Sequence, residues 1–292
     1  MHLMAAMRTG RRYHLPLALA VAGLLAGCAS AGPRLDASVR QYDVATDTAP
    51  TNVDPAAASG LLGRVSPSFV TLVVSEAGGG DIFNASPGRG VSSGSGYIVS
   101  SDGLALSAAH VGARAGYRVT ARASNGRIYE GRVVALKAGN DISLIKLRMK
   151  GAVPVRPAAS PCLRVGQPVF SLGRPRGSRD TLRIGSVKAL SFGHKVRYGR
   201  YGYPDALVLR MNTRRGESGG PVFNERGELV AMVVSTLSTR GKPLKLAHAI
   251  PLPALARFYC AKAACGPRWR ALAGTSMAAC PRQTAGKVQE RL

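Results

Sequence analysis

Apolar residues recur along most of this chain in short runs, each closed by Gly, Pro, Asn or Asp. The runs at 69–75, 96–100, 117–122, 132–137, 142–147, 169–172, 181–190, 207–211 and 229–235 are rich in Val, Ile and Leu and read as strands. Strands at this density with no long helix between them predict an all-β fold. Two long polar stretches break the series. Residues 78–94 are glycine-rich, and residues 191–204 carry Tyr198, Tyr201 and Tyr203. Both are expected as loops. After the last strand, Leu252, Leu255, Phe258 and Tyr259 fall at helical spacing and predict a short C-terminal helix.

The pattern is different at the N-terminus. An apolar run over 15–26, interrupted by Pro16 and Gly23, follows Arg8, Arg11 and Arg12. It is short for a bilayer span and reads as an export signal. It ends in Leu25-Ala26-Gly27-Cys28, which looks like a bacterial lipoprotein box with Cys28 as the lipidated residue. Ala29 rather than Asp follows, so this resemblance implies the outer membrane, facing the periplasm. An ordinary signal cut near Ala29 or Ala31 is the alternative. Residues 28–60, rich in Ala, Ser, Asp, Thr and Pro, are expected to be a flexible tether. The organisation expected is therefore signal 1–27, tether 28–60, folded domain 61–255 and a cysteine-containing tail 256–292.

Charge and cysteines narrow the picture. The formal net charge is +25, and loss of Arg8, Arg11 and Arg12 with the signal would leave +22. Such a balance favours anionic envelope surfaces or acidic polymers. Export, sparse aromatics and scattered basic residues argue against a nucleic-acid partner. Of the five cysteines, Cys162, Cys260, Cys265 and Cys280 remain once Cys28 is set aside. In an exported chain they could form two disulfides, with three connectivities open. They lack the paired spacing of a zinc site, so no metal and no cofactor are expected.

The chemistry centres on Gly216-Glu217-Ser218-Gly219-Gly220-Pro221. A serine among glycines sits on a tight turn with backbone N–H groups able to approach a substrate carbonyl. A serine nucleophile needs a base and a group to orient it. His110 in Leu106-Ser107-Ala108-Ala109-His110-Val111 and Asp141 in Asn140-Asp141-Ile142-Ser143-Leu144 are the candidates. The order His, Asp, Ser belongs to two-barrel proteases that resemble chymotrypsin, not to α/β-hydrolases or subtilisin-like enzymes.

Four ordered segments together resemble the HtrA/Deg-type serine proteases. They are Gly94-Ser95-Gly96-Tyr97 with Gly103 to Val111, Asp141 to Leu147, Gly216 to Pro221 with Gly227 to Ala231, and Ala247-His248-Ala249-Ile250-Pro251. The resemblance covers roughly residues 61–255. It implies two six-stranded antiparallel barrels of chymotrypsin type with His110, Asp141 and Ser218 as a triad. Gly216 and Ser218 would be the oxyanion donors. Val234, Ser235 and Thr236 would form one wall of the substrate pocket, Asn212 and Thr213 its base, and His248 would lie nearby. No acid is placed there to receive Lys or Arg, which favours small or aliphatic side chains. Relatives carry Asn or Asp where this chain has Glu217, and only about 37 residues follow Leu255, too few for the usual PDZ domain.

The expected function is a lipid-anchored cell-envelope serine endopeptidase acting on proteins or peptides, with protein quality control as its expected setting. The alternatives are a non-catalytic binding protein on the same fold and an exported esterase. Relatives often form trimers, but no residue here decides the oligomeric state.

Overall fold

The computed structural model describes residues 42–76, 92–176, 179–239 and 242–277. The signal, Cys28, Cys280 and residues 77–91 of the glycine-rich loop lie outside them. The chain enters as strand β1 (Asp43–Ala45) and helix α1 (Pro55–Val65), then β2 (Phe69–Ser75) and β3 (Ser92–Ile98). β4 (Leu104–Ser107), a single helical turn α2 (Ala109–Gly112), β5 (Arg118–Ala123), β6 (Ile128–Lys137) and β7 (Ile142–Leu147) complete the first half. β2 pairs with both β3 and β5, so the order β2-β3-β4-β7-β6-β5 closes into a barrel. Val70, Leu72, Val119, Ile98 and Ile145, which the strand register puts on one face, are among its buried side chains. Residues that alternate along each strand face inward together, as the period of two requires.

The second half begins with β8 (Pro168–Gly173) and β9 (Thr181–Ala189), followed by a hairpin of β10 (Val196–Tyr198) and β11 (Tyr201–Tyr203). β12 (Leu207–Arg210), β13 (Pro221–Phe223), β14 (Leu229–Thr239) and β15 (Lys242–Pro251) follow. The sheet runs β9-β12-β15-β14-β13-β8, and β8 pairs back onto β9, closing a second six-stranded antiparallel barrel. The two-barrel, chymotrypsin-type architecture read from the sequence is the architecture found.

Several local expectations need correction. The described part of the expected tether is ordered chain. β1 lies parallel to β9, with Asp43 opposite Thr181 and Ala45 opposite Arg183. α1 begins at Pro55, and its Leu61 and Val65, one turn apart, pack against the turn at Gly227 in the second barrel. The folded unit therefore begins well before residue 61. At the other end, the boundary at 255/256 falls inside helix α3 (Leu252–Lys262), and a second helix α4 (Pro267–Ala273) follows it. A Cys260–Cys265 disulfide links the end of α3 to the approach to α4, and Tyr259 meets Trp269 edge-to-face at 5.2 Å. Cys162 is also disulfide-bonded. Finally, residues 191–204 are not simply loop: they contain the β10–β11 hairpin, and it reaches the site described next.

Candidate active site

His110 sits on α2, directly after β4, and Asp141 immediately precedes β7. Because β4 and β7 are paired, with Ser107 opposite Ser143, their ends bring the two residues together. Ser143 Oγ donates to the carbonyls of Ala108 at 3.0 Å and Ser107 at 3.2 Å, tying the two strand ends. Asp141 takes the left-handed conformation, φ +50°, which Asp tolerates better than most residues. Its carboxylate is fully buried and turned onto His110. Nδ1 of His110 lies 2.8 Å from Oδ2, and the His110 backbone N–H donates to Oδ1 at 2.9 Å. Such a pair fixes the imidazole's orientation and leaves Nε2 for chemistry.

Ser218 comes from the second barrel, in the turn before β13. The first barrel grips that turn through Ser95 on β3. The Ser95 N–H donates to Ser218 O at 2.9 Å, and Ser95 Oγ donates to Gly216 O at 2.8 Å while accepting from the Arg174 N–H at 3.1 Å. The serine motif therefore depends on the Gly94-Ser95-Gly96 motif across the cleft. The Ser218 hydroxyl lies 3.3 Å from the carbonyl of Val234, its hydrogen-bond acceptor in this conformation; it does not bond His110. Nucleophile–base contacts are commonly loose in unliganded sites.

The backbone of the serine turn is arranged by its neighbours. The N–H groups of Glu217, Gly219 and Gly220 are spent on Arg214 O, Val233 O and Glu217 O. Those of Gly216 and Ser218 have no hydrogen-bond partner among the described residues. The Arg215 carbonyl accepts from the Arg176 N–H at 3.0 Å. In a trans peptide the next N–H points the opposite way, so this bond turns Gly216 N–H away from Arg176. Gly216 has φ +98°, and a Cβ there would lie 2.4 Å from Arg174 O. Gly219 has φ +85°, and a Cβ there would lie 2.2 Å from Ser95 O. Both positions therefore exclude side chains.

Glu217, which the sequence left unexplained, has a partner. Both its carboxylate oxygens lie 2.7 Å from Arg183 Nε, and Oε2 also accepts the Arg214 N–H at 2.8 Å. Both side chains are buried, Arg183 at 5% and Glu217 at 2% exposure. A carboxylate next to Ser218 thus anchors the turn to β9.

The expected pocket residues divide into two groups. Val234 meets Ser218 directly. Thr213 and Thr236 bond each other, Oγ1 to Oγ1 at 2.8 Å, so the proposed base and wall are in contact. Asn212 instead donates to Asp47 at 2.6 Å. Ser235 and His248 both bond the Tyr203 hydroxyl, at 2.9 and 2.8 Å, and the His248 ring packs 4.4 Å from Phe192. His248 is buried, and its Nε2 has no hydrogen-bond partner. Burial holds its imidazole below the ordinary range, against the charge of Asp205, which raises it. Burial also pushes the Tyr203 phenol up to about 12, with a contribution from the charge of Asp141 against the Ser235 hydrogen bond.

Ser95, Arg183 and Tyr198 had no role in the reading of the sequence. Ser95 sat inside a recognised motif, whereas Arg183 and Tyr198 carried no local signal. Tyr198, on β10, donates its hydroxyl to Asp141 Oδ2.

Comparison with known proteins agrees with this geometry. The family described as trypsin-like peptidase domain matches residues 94–232. Serine protease HTRA1 of Xenopus laevis is 34% identical over 167 residues, 57% of this chain and 35% of that protein. The probable periplasmic serine endoprotease DegP-like of Ectopseudomonas mendocina is 33% identical over 163 residues, 54% of this chain and 32% of that protein. The chain thus spans about a third of the length of these curated relatives. Among solved structures, the inactive form of the Rv3671c protease superposes with a TM-score of 0.57 at 22% identity, over 76% of this chain and 100% of that one. The HtrA-type protease AlgW with a tripeptide gives 0.55 at 22% identity, over 66% and 59%. The last two comparisons bear on the fold. Residues 94–232 match the trypsin-like peptidase domain family and are similar to the corresponding part of the HtrA/Deg-type serine proteases.

Proposed function

We propose that this chain is a serine endopeptidase whose triad is His110, Asp141 and Ser218. The observation that carries this is the convergence, in one cleft, of a buried Asp141–His110 pair and a Ser218 turn with two N–H groups that have no partner among the described residues. Ser218 would attack a peptide carbonyl while His110 Nε2 takes its proton. The Gly216 and Ser218 N–H groups would hold the oxyanion, and His110 would return the proton to the leaving amine. Water would then release the acyl group by the same steps. Asp141 stays ionised throughout and stabilises the imidazolium. The substrates are proteins or peptides, and Val234, Thr213 and Thr236 would contact the residue before the cut.

The competing reading, a cleft that binds without cutting, draws on the Ser218–Val234 contact. Treatment of the chain with a fluorophosphonate probe and with fluorescein-labelled casein separates the two. Wild type is expected to label and to cleave, and Ser218→Ala to do neither. A wild type inert to both would leave the binding reading standing. Labelling without casein cleavage would favour an esterase or a protease of narrow specificity.

The place of action we propose is the bacterial cell envelope, held by lipid on Cys28, with damaged or unfolded proteins as the substrates. The Leu25-Ala26-Gly27-Cys28 box and the name of the periplasmic DegP-like relative support it. Cys28→Ser is expected to move the protein from the membrane to the soluble fraction. Unchanged fractionation would sink the anchor.

A further inference from the structure

The β10–β11 hairpin is fastened to the segment that carries His110. Arg200 and Tyr201 both donate to the carbonyl of Ala113, at 2.7 and 2.9 Å, just past α2. The rings of Tyr198 and Tyr201 stand edge-on to the His110 imidazole, with centroids 5.7 and 6.3 Å away. This docking aims the Tyr198 hydroxyl at Asp141. Oδ2 of Asp141 therefore serves two donors, Tyr198 Oη–H and His110 Nδ1–H, while Oδ1 accepts the His110 backbone N–H and lies 3.1 Å from Nδ1; the Tyr198 hydroxyl is itself 3.3 Å from Nδ1.

We propose that Tyr198 is a positioning residue of the triad, its hydroxyl fixing the Asp141 carboxylate and setting the basicity of His110. The proposal rests on the triad reading above. Its physical basis is competition for one carboxylate oxygen. A hydrogen bond from the phenol draws negative charge away from the oxygen that faces Nδ1, so the imidazolium is stabilised less than by a bare carboxylate. The same bond restrains rotation of the carboxylate. The phenol remains a donor at every working pH, because burial, the charge of Asp141 and the hydrogen bond to it all raise its pKa. The other titratable or charged groups facing the pair are Tyr201, with Arg200 5.0 Å above its ring, and Tyr203, whose ring lies 6.2 Å from that of Tyr198. Each of these keeps its own hydrogen bonds when the Tyr198 hydroxyl is removed.

Tyr198→Phe tests this in the full chain, through the pH dependence of kcat/KM on a quenched fluorescent peptide and the rate of fluorophosphonate labelling. The acid limb is expected to move to higher pH by roughly half a unit to one unit, because His110 faces a less neutralised carboxylate. kcat is expected to fall about tenfold, the scale of one hydrogen bond to a charged group, with KM nearly unchanged. A purely structural role would lower the melting temperature and the active fraction without moving the limb. A well-folded Tyr198→Phe with an unmoved limb and wild-type kcat overturns the proposal. Should that variant fail to fold, 3-fluorotyrosine at position 198 keeps the hydroxyl and makes it a stronger donor. The limb should then move to lower pH, and an unmoved limb again overturns the assignment. His110→Ala and Ser218→Ala run alongside. If they retain labelling, the triad reading itself fails. If they lose it while the Tyr198 variants behave as wild type, only the role of Tyr198 fails.

Discussion

Arg183→Met is expected to lower the stability of the folded chain by about 3–5 kcal/mol, the usual cost of leaving one charge of a buried pair without its partner. Glu217 would keep the Arg214 N–H but lose both contacts to Nε, inside a region that water does not reach. For a domain of this size the melting temperature should drop by roughly 10 °C. Activity should fall further than the loss of folded protein explains, since Glu217 lies between the two proposed oxyanion donors. Urea denaturation and fluorophosphonate labelling of the same samples measure both. A double replacement, Arg183→Met with Glu217→Leu, sharpens the test. Removing both charges commonly restores stability where an apolar pair packs well. The Arg214 N–H would remain without its acceptor, so the turn should stay misplaced and labelling low. A single Arg183→Met variant with wild-type melting and labelling would show that the pair does not support the turn.

The second large effect is expected at Gly216. An alanine there must hold φ near +98° and find room for a Cβ that would otherwise lie 2.4 Å from Arg174 O. Strain of this kind costs on the order of 1–3 kcal/mol. The easier escape is rotation of the Arg215–Gly216 peptide, which gives up the Arg176–Arg215 bond and turns the Gly216 N–H out of the cleft. Loss of one oxyanion donor lowers kcat by about a hundredfold to a thousandfold. Gly216→Ala should therefore melt within a few degrees of wild type yet hydrolyse peptides at that reduced rate, with a smaller change in KM. An alanine variant with full kcat would remove Gly216 from the oxyanion site.

The barrels were legible because strand periodicity and turn residues are local. Residues 69–75 and 142–147 are short runs rich in Val, Ile and Leu, and their observed strands have the same bounds. His110, Asp141 and Ser218 were legible as motifs whose spacing fits one topology. What stayed hidden depends on contacts distant in sequence. Asp43 to Ala45 has no strand character of its own and becomes a strand because β9 offers an edge. Residues 196–203 read as loop because Gly199 and Arg200 interrupt a tyrosine-rich stretch, and the hairpin is held by Ala113, far away in the chain. Arg183 looked like any strand residue until Glu217 was placed beside it. Its burial cannot be read from β9 alone, where a cation at an inward position would ordinarily argue against the assignment. Around the expected pocket, Val234 meets Ser218 and Thr213 meets Thr236, whereas Asn212, Ser235 and His248 bond Asp47 and Tyr203, partners that lay outside the motifs.

β1 also decides where the protein can be shortened. A fragment starting at residue 61 would lack β1 and the first half of α1, though the motifs would all be intact. The edge of β9 from Thr181 to Arg183 would then be bare, and an uncovered strand edge is a template for pairing with another chain. That same stretch contains Arg183, the partner of Glu217. The smallest piece that protects both the edge and the site starts near Tyr42, so a shorter one invites aggregation that could be mistaken for an intrinsically inactive enzyme.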